Sequence, residues 1–129
     1  MRVRSVLAAL VALPFLTTGC ALGLVAAGTA VGAGALVWQS GWLRGNIDEP
    51  IERVERASKA ALADFRIKVE NSDLKPTYGT VDATDPDGRR VVVELRALGD
   101  KQTQVRIRAG FWGDEALSLR IFEQMKKHL

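Results

Sequence analysis

The sequence predicts one α+β domain: a two-layer sandwich in which a four-stranded antiparallel meander carries two helices on one face, in the order αββββα. Three observations predict it. Apolar residues recur at helical spacing over residues 49–65 and again over 114–129. The stretch between them alternates apolar and polar residues in four runs, and the breaks between runs hold Asn, Asp, Pro and Gly, the residues that form turns. Ahead of this domain, residues 5–43 carry no charged side chain, so the first third of the chain needs an explanation of its own.

The first helix is expected to start at Asp48-Glu49-Pro50, with acids at the positive end of the helix dipole and Pro in the first turn. Ile51, Val54, Ala57, Ser58, Ala61, Leu62 and Phe65 then share one face, and Glu52, Arg53, Glu55, Arg56, Lys59 and Asp64 share the other. Ile67 and Val69 alternate with Arg66, Lys68 and Glu70 as a first strand, which Asn71-Ser72-Asp73 is expected to end as a turn. A second strand from Tyr78 to Thr84 meets the tight turn Asp85-Pro86-Asp87-Gly88. Arg90 to Leu98 follows as a third strand, with Val91, Val93, Leu95 and Ala97 inward. After Gly99-Asp100, Thr103, Val105, Ile107 and Ala109 give the inward set of the fourth. Asp114 can cap a closing helix whose stripe is Leu117, Ile121, Met125 and Leu129, widened by Phe122.

The charge-free region divides at the only cysteine. Residues 1–19 read as a signal peptide of the lipoprotein kind: Arg2 and Arg4, an apolar run from Val6 to Leu16, then small residues up to Gly19 and Cys20. Cleavage between Gly19 and Cys20, with acylation of the Cys20 thiol, would make membrane lipid the first partner of the chain. A lone thiol forms no internal disulfide, which suits this use in an exported protein. Residues 20–45 are the lipidated end and an apolar Gly/Ala-rich membrane-proximal segment, leaving residues 46–129 as the envelope domain. Gly28 and Gly32 form a G-x-x-x-G pair that would let two helices approach in lipid, a route to self-association. Trp38 and Trp42 before Arg44 suit a bilayer interface. A poorly ordered tether of the same composition is the plainer account. Ala21 after the cysteine, rather than an acid, favours the outer membrane, facing the periplasm. The competing reading keeps Met1 and folds residues 5–19 and 21–43 into a helical hairpin, with a cytoplasmic domain.

Charge narrows the partners. The chain has 18 Lys and Arg against 15 Asp and Glu, a formal +3, and loss of Arg2 and Arg4 would leave 16 against 15. That balance, without any block of like charge, gives no reason to expect nucleic acid. Enzyme signatures are missing as well: there is no phosphate loop, no nucleophile elbow and no second cysteine, and the single histidine, His128, sits at a terminus beside Lys126 and Lys127. A non-enzymatic chain without cofactor or metal is expected. A small envelope enzyme is the remote alternative, and it would need a carboxylate of raised pKa such as Asp64 or Glu94.

Two patterns remain. Ala83, Asp85, Asp87, Gly88 and Glu94 fall on the spacing of a calcium loop, but Ala83 offers no oxygen where the first ligand belongs and hairpin chemistry explains Asp and Gly here. More informative are Arg66, Lys68, Arg96, Arg106 and Arg108, which alternate with the inward residues and so face away from the helices, sharing that side with Glu70, Glu94 and Gln104. A mixed-charge solvated face is the plain account. The functional one makes Arg96, Arg106 and Arg108 a contact for anionic envelope material, either lipid head groups or a glycan, or for an envelope protein.

Taken together, Cys20, the run Gly28 to Gly34, Asp87-Gly88-Arg89, and Phe111-Trp112-Gly113-Asp114-Glu115-Ala116-Leu117-Ser118 with Ile121 resemble a family of short bacterial lipoproteins known only as a domain of unknown function. Thr17, where the lipobox usually has Leu, and the inserted Trp112 depart from its pattern. The resemblance implies an envelope location and carries no catalytic residues.

Overall fold

The computed structural model describes residues 35–129, and there the alternating stretches become strands, but six of them rather than four. In chain order the elements are β1 (Val37–Gln39), β2 (Trp42–Ile47), α1 (Ile51–Asp64), β3 (Lys68–Leu74), β4 (Tyr78–Thr84), β5 (Arg90–Gly99), β6 (Gln102–Ala109) and α2 (Glu115–Lys126). All neighbours are antiparallel, in the spatial order β1-β2-β6-β5-β4-β3. The four-stranded meander and the order αββββα are therefore corrected to a six-stranded sheet in the order ββαββββα.

The two extra strands come from residues read as the end of the membrane-proximal segment and the first residues of the domain. Leu43, Gly45 and Ile47 point inward, and Trp42, Arg44 and Asn46 point outward, so β2 alternates as a strand should. A Cβ on Gly45 would lie 2.9 Å from the Phe122 ring and 2.6 Å from Leu36, so the missing side chain makes room for residues that fill the space above it. A second correction concerns Asn71-Ser72-Asp73, which continue β3 instead of turning. The register shifts between Val69 and Asn71, and this bulge keeps Ser72 on the core side opposite Val81. There its hydroxyl donates to the carboxylate of Glu55, a buried acid on α1 that Lys59 also pairs. A polar strand residue is stable here because its hydrogen bond is satisfied inside.

Inward residues from β2 and β4–β6 join Ile51, Val54, Ala61 and Leu62 of α1 and Ile121, Phe122 and Met125 of α2 in one buried cluster. Both helices thus cover the same face of the sheet and leave the opposite face bare. Each helix end has its own local cause. Pro50 precedes the first turn of α1, and the carboxylate of Asp114 accepts the Leu117 N–H at the start of α2. At the far end of α1, the Arg66 N–H bonds the Ala63 carbonyl and the Ile67 N–H bonds that of Leu62, a Schellman stop that holds Arg66 at φ +57. Arg66 therefore belongs to a helix stop and not to a strand.

Among the described residues no helix is long and apolar enough to cross a membrane. The expectations for the signal peptide, Gly19, Cys20, and the Gly28 and Gly32 pair lie outside the described residues.

Candidate functional site

The bare face is built by the outward halves of the alternating strands. Register places Arg44 opposite Arg106, Arg106 opposite Glu94, Arg96 opposite both Gln104 and Tyr78, and Val92 opposite Arg108. Arg96, Arg106 and Arg108 are thereby brought together on β5 and β6, and Lys68 joins the same side opposite Thr84. Glu70 falls at the bulge. The structure adds Arg44 and Trp42, which the sequence reading set at a bilayer interface because it did not recognise β2. Their signal was present in the alternation Trp42-Leu43-Arg44-Gly45-Asn46-Ile47.

Trp42 organises the arginines. The guanidinium of Arg106 lies 4.6 Å from the centre of its ring and that of Arg108 lies 5.7 Å away. Such contacts are worth about 0.5–1 kcal/mol each at exposed sites and, more to the point, fix where the cations stand. Arg106 also reaches Glu94 at 3.2 Å, and Arg108 donates to the Phe111 carbonyl. Arg90 is taken up by Asp82 at 2.6 Å, whereas Arg44, Arg96 and Arg108 have no carboxylate partner among the described residues. Their charge is free to act on a ligand.

Two hollows adjoin on this face. A groove of about 560 Å³ has Trp42, Val92 and Phe111 as its apolar lining, with Arg89, Arg90 and Arg108 around it. A polar cleft of about 140 Å³ lies among Arg44, Tyr78, Arg96, Gln104 and Arg106. Glu94 borders both.

The rim of the groove is held stiffly. Gly113 sits at φ +83, and a Cβ there would come within 2.3 Å of the Gly41 carbonyl oxygen, so the β6–α2 loop and the β1–β2 turn touch backbone to backbone. Phe111 and Trp112 on that loop are 77% and 85% exposed and meet edge to face at 5.0 Å. Arg89 ties the β4–β5 turn to the same region, bonding Asp85 at 2.8 Å and Asp114 at 3.3 Å. Burial pushes the Asp85 carboxyl up, but the Arg89 and Asp87 N–H groups and the Arg89 guanidinium outweigh it and hold it below its ordinary value. Asp114 is lowered too, first by the Leu117 N–H and then, against some burial, by Arg89.

The remaining sequence candidates are explained elsewhere. Asp85 is the acceptor at the centre of its own hairpin turn, while Glu94 faces Arg106 on the sheet, so the calcium-like spacing does not gather into a loop of ligands. Among the described residues no three His, Cys, Asp or Glu side chains are grouped to hold a metal ion. Asp64 lies at the surface, where hydrogen bonds from His128 and then Gln124 lower its pKa, the reverse of the raised acid that a catalytic role would require. His128 serves that contact, joining the ends of α1 and α2.

A family model described as a protein of unknown function (DUF3568) matches residues 4–128. No curated protein matches the chain.

Proposed function

The chain belongs to the DUF3568 family, whose description assigns no activity, and we propose that it is a non-enzymatic lipoprotein, anchored through Cys20 in the cell envelope, that uses the bare sheet face to hold an anionic partner. The outer membrane, facing the periplasm, is its place in this reading. The address rests on the sequence: a basic start, an apolar run, small residues before a lone cysteine, and Ala21 after it. The task rests on one observation. Among the described residues Arg44, Arg96 and Arg108 stand without carboxylate partners, on a face that both helices leave open, with Trp42 aligning their neighbour Arg106. Uncompensated cations on a rigid surface attract anions through a field that salt weakens.

Salt elution of the full chain in an uncharged detergent from a sulfated-glycan column tests this. The triple variant Arg96→Ser, Arg106→Ser, Arg108→Ser should elute at clearly lower salt than the unaltered chain. The triple Arg53→Ser, Arg56→Ser, Lys127→Ser removes the same charge from α1 and the end of α2 and should elute nearly unchanged. Equal elution of the two triples would mean that net charge, and not this face, does the binding.

A further inference from the structure

We propose that the open face takes a single anionic amphiphile, with its charged head in the cleft between Arg44 and Arg96 and its apolar body in the groove over Trp42 and Val92. This rests on the reading of the bare face as the binding surface and adds what kind of molecule fits it. The basic cleft by itself would suit any small anion. The second hollow is larger, has Trp42, Val92 and Phe111 in its lining, and meets the cleft at Glu94.

A solvated mixed-charge face has no use for this arrangement. Val92 is an aliphatic residue on the polar side of β5, only half-buried, at the point where the alternation calls for a polar side chain. Phe111 stands 77% exposed at the groove's rim, on a loop pinned by Gly113 against Gly41. Apolar surface kept open and rigid beside exposed cations is complementary to a molecule that has both characters. The size agrees. From Val92 to Arg96 the strand advances about 13 Å at ~3.3 Å per residue, enough for a head group and a short chain laid along β5.

Charge fixes the polarity of the ligand. Arg44 and Arg96 face the cleft without carboxylate partners among the described residues, and Gln104 and Tyr78 add neutral hydrogen-bonding groups beside them. Glu94 is the acid at the junction, and it pairs with Arg106 at 3.2 Å and not with the outer two cations. A phosphate or carboxylate held by two guanidinium groups is the recognition that this set of donors provides.

Three soluble probes test the two halves separately: hexyl phosphate, inorganic phosphate and hexanol, each titrated into the full chain in an uncharged detergent and followed by the indole N–H resonances of its tryptophans. Hexyl phosphate should bind saturably, one per chain and at least tenfold tighter than either of the other two, moving the Trp42 signal more than that of Trp112. Arg44→Gln with Arg96→Gln should remove the preference over hexanol and abolish binding of inorganic phosphate. Val92→Asn, on the exposed side of the strand, should weaken hexyl phosphate about tenfold and leave inorganic phosphate unchanged. If inorganic phosphate binds as tightly as hexyl phosphate, the apolar half of the proposal falls and the basic-face reading stands. If hexanol matches hexyl phosphate, the head site falls. If hexyl phosphate leaves Trp42 unmoved while nanodiscs of phosphatidylglycerol shift Trp112, the face meets a bilayer and not a single molecule, and the proposal is overturned.

Discussion

The two faces of one sheet follow the same alternation and end in opposite conditions. On the helix side, Val81, Val91, Val93, Leu95, Val105 and Ile107 are fully buried, and their apolar contacts hold the domain together. On the other side, residues one step along the same strands carry Arg96, Glu94, Arg106 and Arg108 into solvent, where the pair between Arg106 and Glu94, each still partly exposed, adds less than about 1 kcal/mol. Stability is thus concentrated on one face, and the other is free to vary in its chemistry. What stands on the bare face must then be explained by something other than folding.

The largest test of that contrast is a core truncation. Leu95→Ala should cost about 2–5 kcal/mol in urea unfolding, because the helices above it cannot collapse fully into the cavity. Thr80→Ala on the bare face should stay within about 0.5 kcal/mol. Next comes the loop that stiffens the groove. Gly113→Ala places a methyl group against the Gly41 carbonyl at positive φ and should cost about 2 kcal/mol or more, whereas Gly88→Ala, at φ +83 with no atom within 4 Å, should cost about 1 kcal/mol. Unequal losses would show that close backbone contact, and not φ alone, holds the rim.

A smaller effect is expected from pH. The Asp85 carboxyl is held below its ordinary value of 3.8 in the fold, so the unfolded chain binds its proton first as pH falls. Its contribution is complete well above pH 4, declines below it and is gone once the folded group is protonated. Asp85→Asn should therefore lower the unfolding temperature at pH 7 and narrow its gap to the unaltered chain near pH 3. Arg66→Gly closes the series with a gain of about 1 kcal/mol, since glycine takes φ +57 without the steric cost that arginine bears at the end of α1.

How much of this the sequence disclosed follows from how each element announces itself. The inward sets of β5 and β6 are aliphatic at nearly every second position, and the charges between them are large, so the period is unmistakable and Arg96, Arg106 and Arg108 could be placed on one side. β2 hid because one of its inward residues is Gly45, whose burial is supplied by Phe122 and Leu36 and leaves no apolar mark in the chain. With β2 went Trp42 and Arg44, and with them the groove. The polar run Asn71-Ser72-Asp73 looked like a turn because the partner that stabilises it, Glu55, lies 17 residues from Ser72 in sequence. Phe111 and Trp112 were visible as residues, but only the backbone contact of Gly113 with Gly41 shows that they form a fixed rim.

The envelope address decides which anions the bare face can meet, and one measurement bears on it most directly: mass spectrometry of the amino terminus of the chain isolated from its native membranes. The account predicts that residues 1–19 are gone and that Cys20 carries two or three acyl chains. An intact Met1 on the mature protein would contradict it.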